Sequence, residues 1–205
     1  MIKKRIGLTM RMDIASTGEA RDALDCLWPE LMKEIGFFPV YLPSGMSVFG
    51  NEAFNDIDAF ILTGGNDIIE GQESFYGGRN TFENSILSHA DKHKLPVLGV
   101  CRGAQMINLY CGGQSSSLNG HVAQDHEVFW NQQKIKVNSY HNYGIRQDEL
   151  ADNLEIQAFA QDSTIEAFRH KYLPWFGMMW HPERPIDNPQ MHKEIVRKAL
   201  LGEEI

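Results

Sequence analysis

Leu95-Pro96-Val97-Leu98-Gly99-Val100-Cys101-Arg102-Gly103 is the stretch that decides the fold. Leu95–Val100 reads as a strand buried on both faces, and a helix from about Gly103 to Tyr110 follows, closed by Gly112-Gly113. Only small residues let a chain reverse tightly from strand into helix, and glycines stand two positions to either side of Cys101. This is the strand–turn–helix setting of a nucleophile elbow, with sulfur in place of the hydroxyl oxygen. The positive end of the following helix favours a thiolate, and the backbone N–H of Arg102 would point toward an oxyanion. A small structural cysteine at a strand end fits the same local pattern.

Outward from this stretch, apolar runs alternate with helical patterns. Ile6–Thr9, Phe38–Leu42 and Ala59–Thr63 are expected strands, and Thr81–Lys94 an expected helix. Glu19–Ile35 reads as helical, with Leu24, Leu27, Leu31 and Ile35 on the dry side, a break at Pro29 and a stop at Gly36. Strand and helix alternating over short connections imply a parallel sheet with right-handed crossovers. After Gly120 come short strands at Glu127–Trp130, Lys134–Val137, Leu154–Phe159, Thr164–Phe168 and Trp175–Trp180. They suggest a small antiparallel extension, and Pro189–Leu201 is a final amphipathic helix. The expectation is one α/β domain over residues 1–205: a mostly parallel central sheet flanked by helices.

Composition narrows the class. The chain has 205 residues, 42% hydrophobic, with 19 Lys and Arg against 27 Asp and Glu. That size buries a core without staples, and the formal charge of −8 argues against a general nucleic-acid binder while leaving room for a local cationic pocket. Cys26, Cys101 and Cys111 form neither a disulfide framework nor a C-x-x-C pair. No apolar run suits a signal peptide or a membrane span, so a cytoplasmic location is expected.

Trp180-His181-Pro182-Glu183 breaks the tie over Cys101. In extended chain, residues two apart share a face, so His181 and Glu183 can point the same way. Pro182 keeps His181 out of the helical region and stiffens that display. A carboxylate beside an imidazole holds its tautomer and stabilises the imidazolium formed when it takes a thiol proton. Cys101, His181 and Glu183 thus read as a nucleophile, a base and its orienting acid.

These two motifs resemble those of the class I glutamine amidotransferases, and more closely their γ-glutamyl hydrolase branch. Leu62-Thr63-Gly64-Gly65-Asn66-Asp67, Val137-Asn138-Ser139-Tyr140-His141-Asn142-Tyr143-Gly144-Ile145 and Asp162–Ala167 add to the resemblance, in the right order and over nearly the whole chain. It implies the flavodoxin-like fold of that family and attack by Cys101 on a γ-glutamyl carbonyl. His181 would shuttle the proton, and Gly65 or Asn66 would join Arg102 in the oxyanion hole. Gln105 would help hold the glutamyl group, with Ser139, Tyr140, His141 and Asn142 around its amino acid end. No cofactor is implied. Departures are Arg79-Asn80 where relatives often carry Arg-Asp, Asn142 where they can carry histidine, and Ser115-Ser116-Ser117 in place of a longer apolar segment.

The remaining candidates are weaker. His89 with His93, and His121 with His126, are pairs without a third ligand at a recognisable spacing, so no metal is expected. Cys26 and Cys111 read as core residues on helix faces. Arg11 falls at the carboxyl edge of the first strand, where open α/β sheets bind ligands, and Arg102 and Arg169 are candidates to join it in a cationic pocket. The expected partner is a small γ-glutamyl substrate, with neither nucleic acid nor membrane. A free-standing hydrolase is favoured over an ammonia-supplying subunit or a silent binding protein. The compact chain and the opening Thr9–Asp13 are most similar to the hydrolases of bacterial capsule phosphoramidate assembly, whose substrate joins glutamine through its amide nitrogen to a cytidine nucleotide.

Overall fold

The computed structural model describes residues 3–68, 73–118, 121–122 and 125–205. In chain order its elements are β1 (Arg5–Thr9), β2 (Arg11–Ile14), β3 (Ala20–Ala23), α1 (Leu27–Glu34), β4 (Phe38–Leu42), β5 (Ala59–Leu62) and α2 (Glu73–His93). Then follow β6 (Val97–Val100), α3 (Arg102–Tyr110), β7 (Ser116–Ser117), β8 (His126–Trp130), β9 (Gln133–Val137) and β10 (Tyr143–Gly144). The chain finishes with β11 (Leu154–Ala160), β12 (Ile165–His170), β13 (Trp175–Met178) and α4 (Pro189–Leu201).

Among the described residues, nine strands make one sheet in the order β4-β1-β5-β6-β13-β12-β11-β8-β9. Pairing is parallel from β4 to β13 and antiparallel from β13 to β9. The antiparallel part is therefore four strands long rather than a small appendage. Strand residues alternate between two cores, as the two-residue side-chain period requires. Ile6, Leu8, Ile61, Leu98 and Val100 face α1 and α4, whereas Phe60, Leu62 and Val97 face α2 and α3. Leu98 is fully buried, and truncating such a side chain to alanine costs about 2–5 kcal/mol. The strand order reverses between β1 and β5, which opens a crevice at their carboxyl ends.

The helix expected from Glu19 is corrected. Ala20–Ala23 pairs with Arg11–Ile14 as a hairpin, from Arg11 opposite Ala23 to Ile14 opposite Ala20, and the helix begins only at Leu27. The spacing of Leu24, Leu27, Leu31 and Ile35 mimics one long helix, but the turn at Ala15–Glu19 pairs the earlier segment across. Pro29 causes no break, because it lies in the first turn, where backbone N–H groups have no acceptor within the helix. Cys26 is exposed at the start of that helix rather than in the core. Cys111 is half-buried, and desolvation pushes its thiol up to about 11.

Candidate active site

Cys101 follows β6 directly and has φ 53°, ψ −110°, a strained conformation for a residue with a side chain. The flanking glycines are required by contact. A Cβ on Gly99 would lie 2.6 Å from the carbonyl carbon and oxygen of Gly103, and one on Gly103 only 1.9 Å from the Leu62 carbonyl oxygen. Strand and helix therefore cross closely enough to turn the thiol out at the end of the sheet. Met178 O accepts the Cys101 N–H at 2.8 Å, which fixes the elbow to β13.

His181 arrives from just beyond β13, the neighbouring strand. Its Nδ1 meets Glu183 Oε1 at 2.6 Å, and its Nε2 and the Cys101 Cβ both border Gly64. Burial pulls the imidazole down, but hydrogen bonds to Cys101 and Glu183 outweigh it and push its pKa up to about 9. Asn138, at the end of β9, holds the display in place. Its Oδ1 accepts the His181 N–H at 2.8 Å, and its Nδ2 donates to the carbonyls of His181 at 3.0 Å and Pro185 at 3.2 Å.

The turn after β5 is held from below by a buried arginine. Arg79 donates to the carbonyls of Thr63 at 2.7 Å, Gly64 at 3.1 Å and Gly65 at 2.9 Å. Among the described residues no peptide bond is cis, so the N–H groups of Gly65 and Asn66 point away from Arg79. Glu83 pairs with Arg79 at 3.0 Å, accepts from Thr9 Oγ1 at 2.8 Å and binds Arg102, which also reaches Asn80. Burial raises Glu83, but the two guanidinium groups outweigh this and hold it ionised; burial lowers Arg79 to about 10. The charge pair that Arg79-Asn80 puts in doubt is thus made with Glu83, one helical turn along.

A cleft of about 340 Å³ opens over this turn, lined in part by Arg11, Gly64, Gly65, His181, Glu183 and Arg184. Arg184 lies 4.6 Å above the Tyr140 ring, which stands edge-on to His181 at 5.7 Å. The cationic pocket expected from Arg11, Arg102 and Arg169 is corrected. Arg102 is buried against Glu83, and Arg169 pairs with Glu155 and lines a different cavity. Arg11 and Arg184 are the arginines at the cleft, beside Asp13 and Asp25 respectively.

Other candidate residues divide. Gln105, one turn along α3, donates to Tyr143 O at 2.8 Å, and Tyr140 borders His181. Asn66 spends its side chain on both backbone groups of Met12, and Ser139 donates to His121 O at 2.5 Å. His141 turns away toward Glu166, and Asn142 is exposed. Asn138, Glu83 and Arg184 are contributors that sequence reading passes over. A signal existed for two of them: Glu83 is four residues from Arg79 on one helix face, and Arg184 directly follows the His181-Pro182-Glu183 motif.

The chain belongs to the class I glutamine amidotransferases: the family model described as glutamine amidotransferase class-I matches residues 50–199. It is 36% identical over 200 residues to the γ-glutamyl-CDP-amidate hydrolase of Campylobacter jejuni, covering 92% of this chain and 96% of that one. It is 26% identical over 197 residues to a glutamine amidotransferase-like protein of Lactococcus lactis, covering 81% and 83%. The fold also matches the crystal structure of a glutamine amidotransferase from Thermotoga maritima, with TM-score 0.70, 15% identity and coverage of 98% and 97%. Among the described residues no helix is long and apolar enough to cross a membrane.

Proposed function

We propose that this chain hydrolyses a γ-glutamyl amide through a γ-glutamyl thioester on Cys101. The observation that carries this reading is the strained elbow cysteine beside an imidazole that Glu183 orients. Cys101 sulfur attacks the γ-carbonyl carbon, and the N–H groups of Arg102 and of Gly65 or Asn66 receive the oxyanion. His181 gives its proton to the departing nitrogen, then takes one from the water that attacks the thioester. Glutamate leaves and the thiol is restored.

The substrate favoured is γ-glutamyl-CDP-amidate, as in capsule phosphoramidate assembly. The Campylobacter relative carries that activity in its name, and Arg11 and Arg184 offer guanidinium groups to a diphosphate at the cleft. Gln105 and Tyr140 would border the glutamyl group. A thiol-dependent enzyme suits the reducing cytoplasm.

The test compares γ-glutamyl-CDP-amidate, γ-glutamyl-GABA and free glutamine, measuring glutamate and ammonia released. The nucleotide amide is expected to give the highest kcat/KM. Arg11→Ala with Arg184→Ala should raise its KM about tenfold or more while sparing γ-glutamyl-GABA. Turnover of the nucleotide no better than of γ-glutamyl-GABA would return the assignment to an uncharged amide. Fast hydrolysis of glutamine that needs a synthetase partner would make the chain a glutaminase subunit.

A further inference from the structure

A second cluster of histidines and a glutamate lies apart from Cys101, and its polar atoms face one another without hydrogen bonds. His121 Nδ1 lies 3.5 Å, His126 Nε2 3.3 Å and His141 Nε2 3.7 Å from Glu166 Oε1. All three nitrogens and both Glu166 oxygens are buried without a hydrogen-bond partner among the described residues, and the Glu166 side chain is fully buried. An isolated buried carboxylate is costly, and leaving it unpartnered among three imidazoles needs a reason.

The outer hydrogen bonds supply that reason. His121 Nε2 meets Asp162 Oδ2 at 2.9 Å, and His141 Nδ1 meets the Tyr143 carbonyl at 3.0 Å. Both partners are acceptors, so each ring places an N–H outward and turns its other nitrogen inward, toward Glu166. Imidazole nitrogens and a buried carboxylate then converge on one point, where positive charge, from shared protons or from a metal ion, would neutralise the carboxylate. A carboxylate behind a ligating imidazole is the arrangement that orients metal-bound histidines. Tetrahedral bonds of about 2.0–2.1 Å to zinc put neighbouring ligand atoms roughly 3.3 Å apart, near the 3.3 and 3.5 Å that separate Glu166 Oε1 from His126 and His121.

We propose that His121, His126 and Glu166, joined by His141, hold a divalent transition metal of the zinc class. The third ligand that the His121 and His126 pair lacks in sequence comes from β12, forty residues further on, where spacing could not show it. Imidazole with one carboxylate suits zinc and its first-row neighbours better than calcium or magnesium. The metal is structural: it ties the residues before β8 to β12 and to the segment Ser139–Tyr143, whose Tyr140 packs on His181. His89 and His93 stack on α2 without gathering such a set among the described residues.

The test is titration of the metal-stripped full chain with zinc against a chromophoric chelator, in a Cys101→Ala background so that the active-site thiol cannot compete. One equivalent should bind with submicromolar affinity and raise Tm, and cobalt in its place should give the visible bands of a four-coordinate site. His126→Asn should weaken binding by about 100-fold or more. Asp162→Asn, at a half-exposed side chain that folding tolerates, should weaken it about 10–100-fold. No saturable binding, or affinity unchanged in both variants, overturns the proposal and leaves the cluster neutralised by protons.

Discussion

The molecule builds two buried groups from histidine and glutamate, and what the inner ring nitrogens face separates them. At His181, Glu183 takes the Nδ1 side, and Nε2 faces Gly64 and Cys101. At Glu166 the outer nitrogens of His121 and His141 meet Asp162 and the Tyr143 carbonyl, and their inner nitrogens face the carboxylate. In the proposed mechanism, the first arrangement passes a proton between thiol and imidazole. The second encloses a positive charge. Residue types alone do not separate the two, and neither does the far-side partner, an acceptor in both; the group that the inner nitrogen faces does.

Substitutions at the two groups should therefore fail in different ways. Cys101→Ala should abolish turnover, by at least about 10⁴-fold, and His181→Asn should come close, both with zinc binding intact. His141→Asn should weaken zinc binding and cost much less activity. Glutamate release and metal titration on the three variants check this, and an equal loss of turnover at His141 would reassign the base and merge the two groups.

A smaller effect is expected beneath the oxyanion turn. Arg79→Lys keeps the charge but loses the planar fork that reaches three carbonyls. It should lower kcat by about 10²–10³ with KM little changed, as loss of an oxyanion donor does. Alkylation of Cys101 by iodoacetamide needs no oxyanion hole and should proceed at the wild-type rate. A slowed alkylation would place Arg79 in the thiol's own environment instead.

The smallest effect is a shift in pH dependence. With His181 at about 9, turnover should fall on an alkaline limb near that pH, as the imidazolium that serves the leaving nitrogen disappears. The folded pKa lies above the ordinary 6.5, so the stability it contributes is complete below 6.5 and lost as pH rises through about 9. Glu183→Gln removes one of the two raising hydrogen bonds and should move both the limb and the stability loss to lower pH. A limb that stays in place would assign it to another group.

Much of this was legible in local sequence. Phe38–Leu42 and Pro189–Leu201 are recognisable from their own pattern, and Gly99, Cys101 and Gly103 announce the elbow because the crossing needs hydrogen-sized side chains at two offsets. The pairing of His181 with Glu183 is a two-residue relation, so it too is visible. The β2–β3 hairpin was not legible, because its leucine-spaced continuation imitates a helix and only pairing with Arg11–Ile14 settles the matter.

By itself the sequence determined the strand-to-helix elbow, the thiol at its tip, the adjacent imidazole and carboxylate, and the alternation that makes a parallel sheet. Each rests on residues within a few positions of one another, where backbone geometry sets the distance. Tertiary structure decided which arginines reach the cleft, that Glu83 holds Arg79 under the oxyanion turn, and that Glu166 stands among three histidines. Those contacts join distant segments, and their distances follow from strand order and helix packing, which no local spacing encodes.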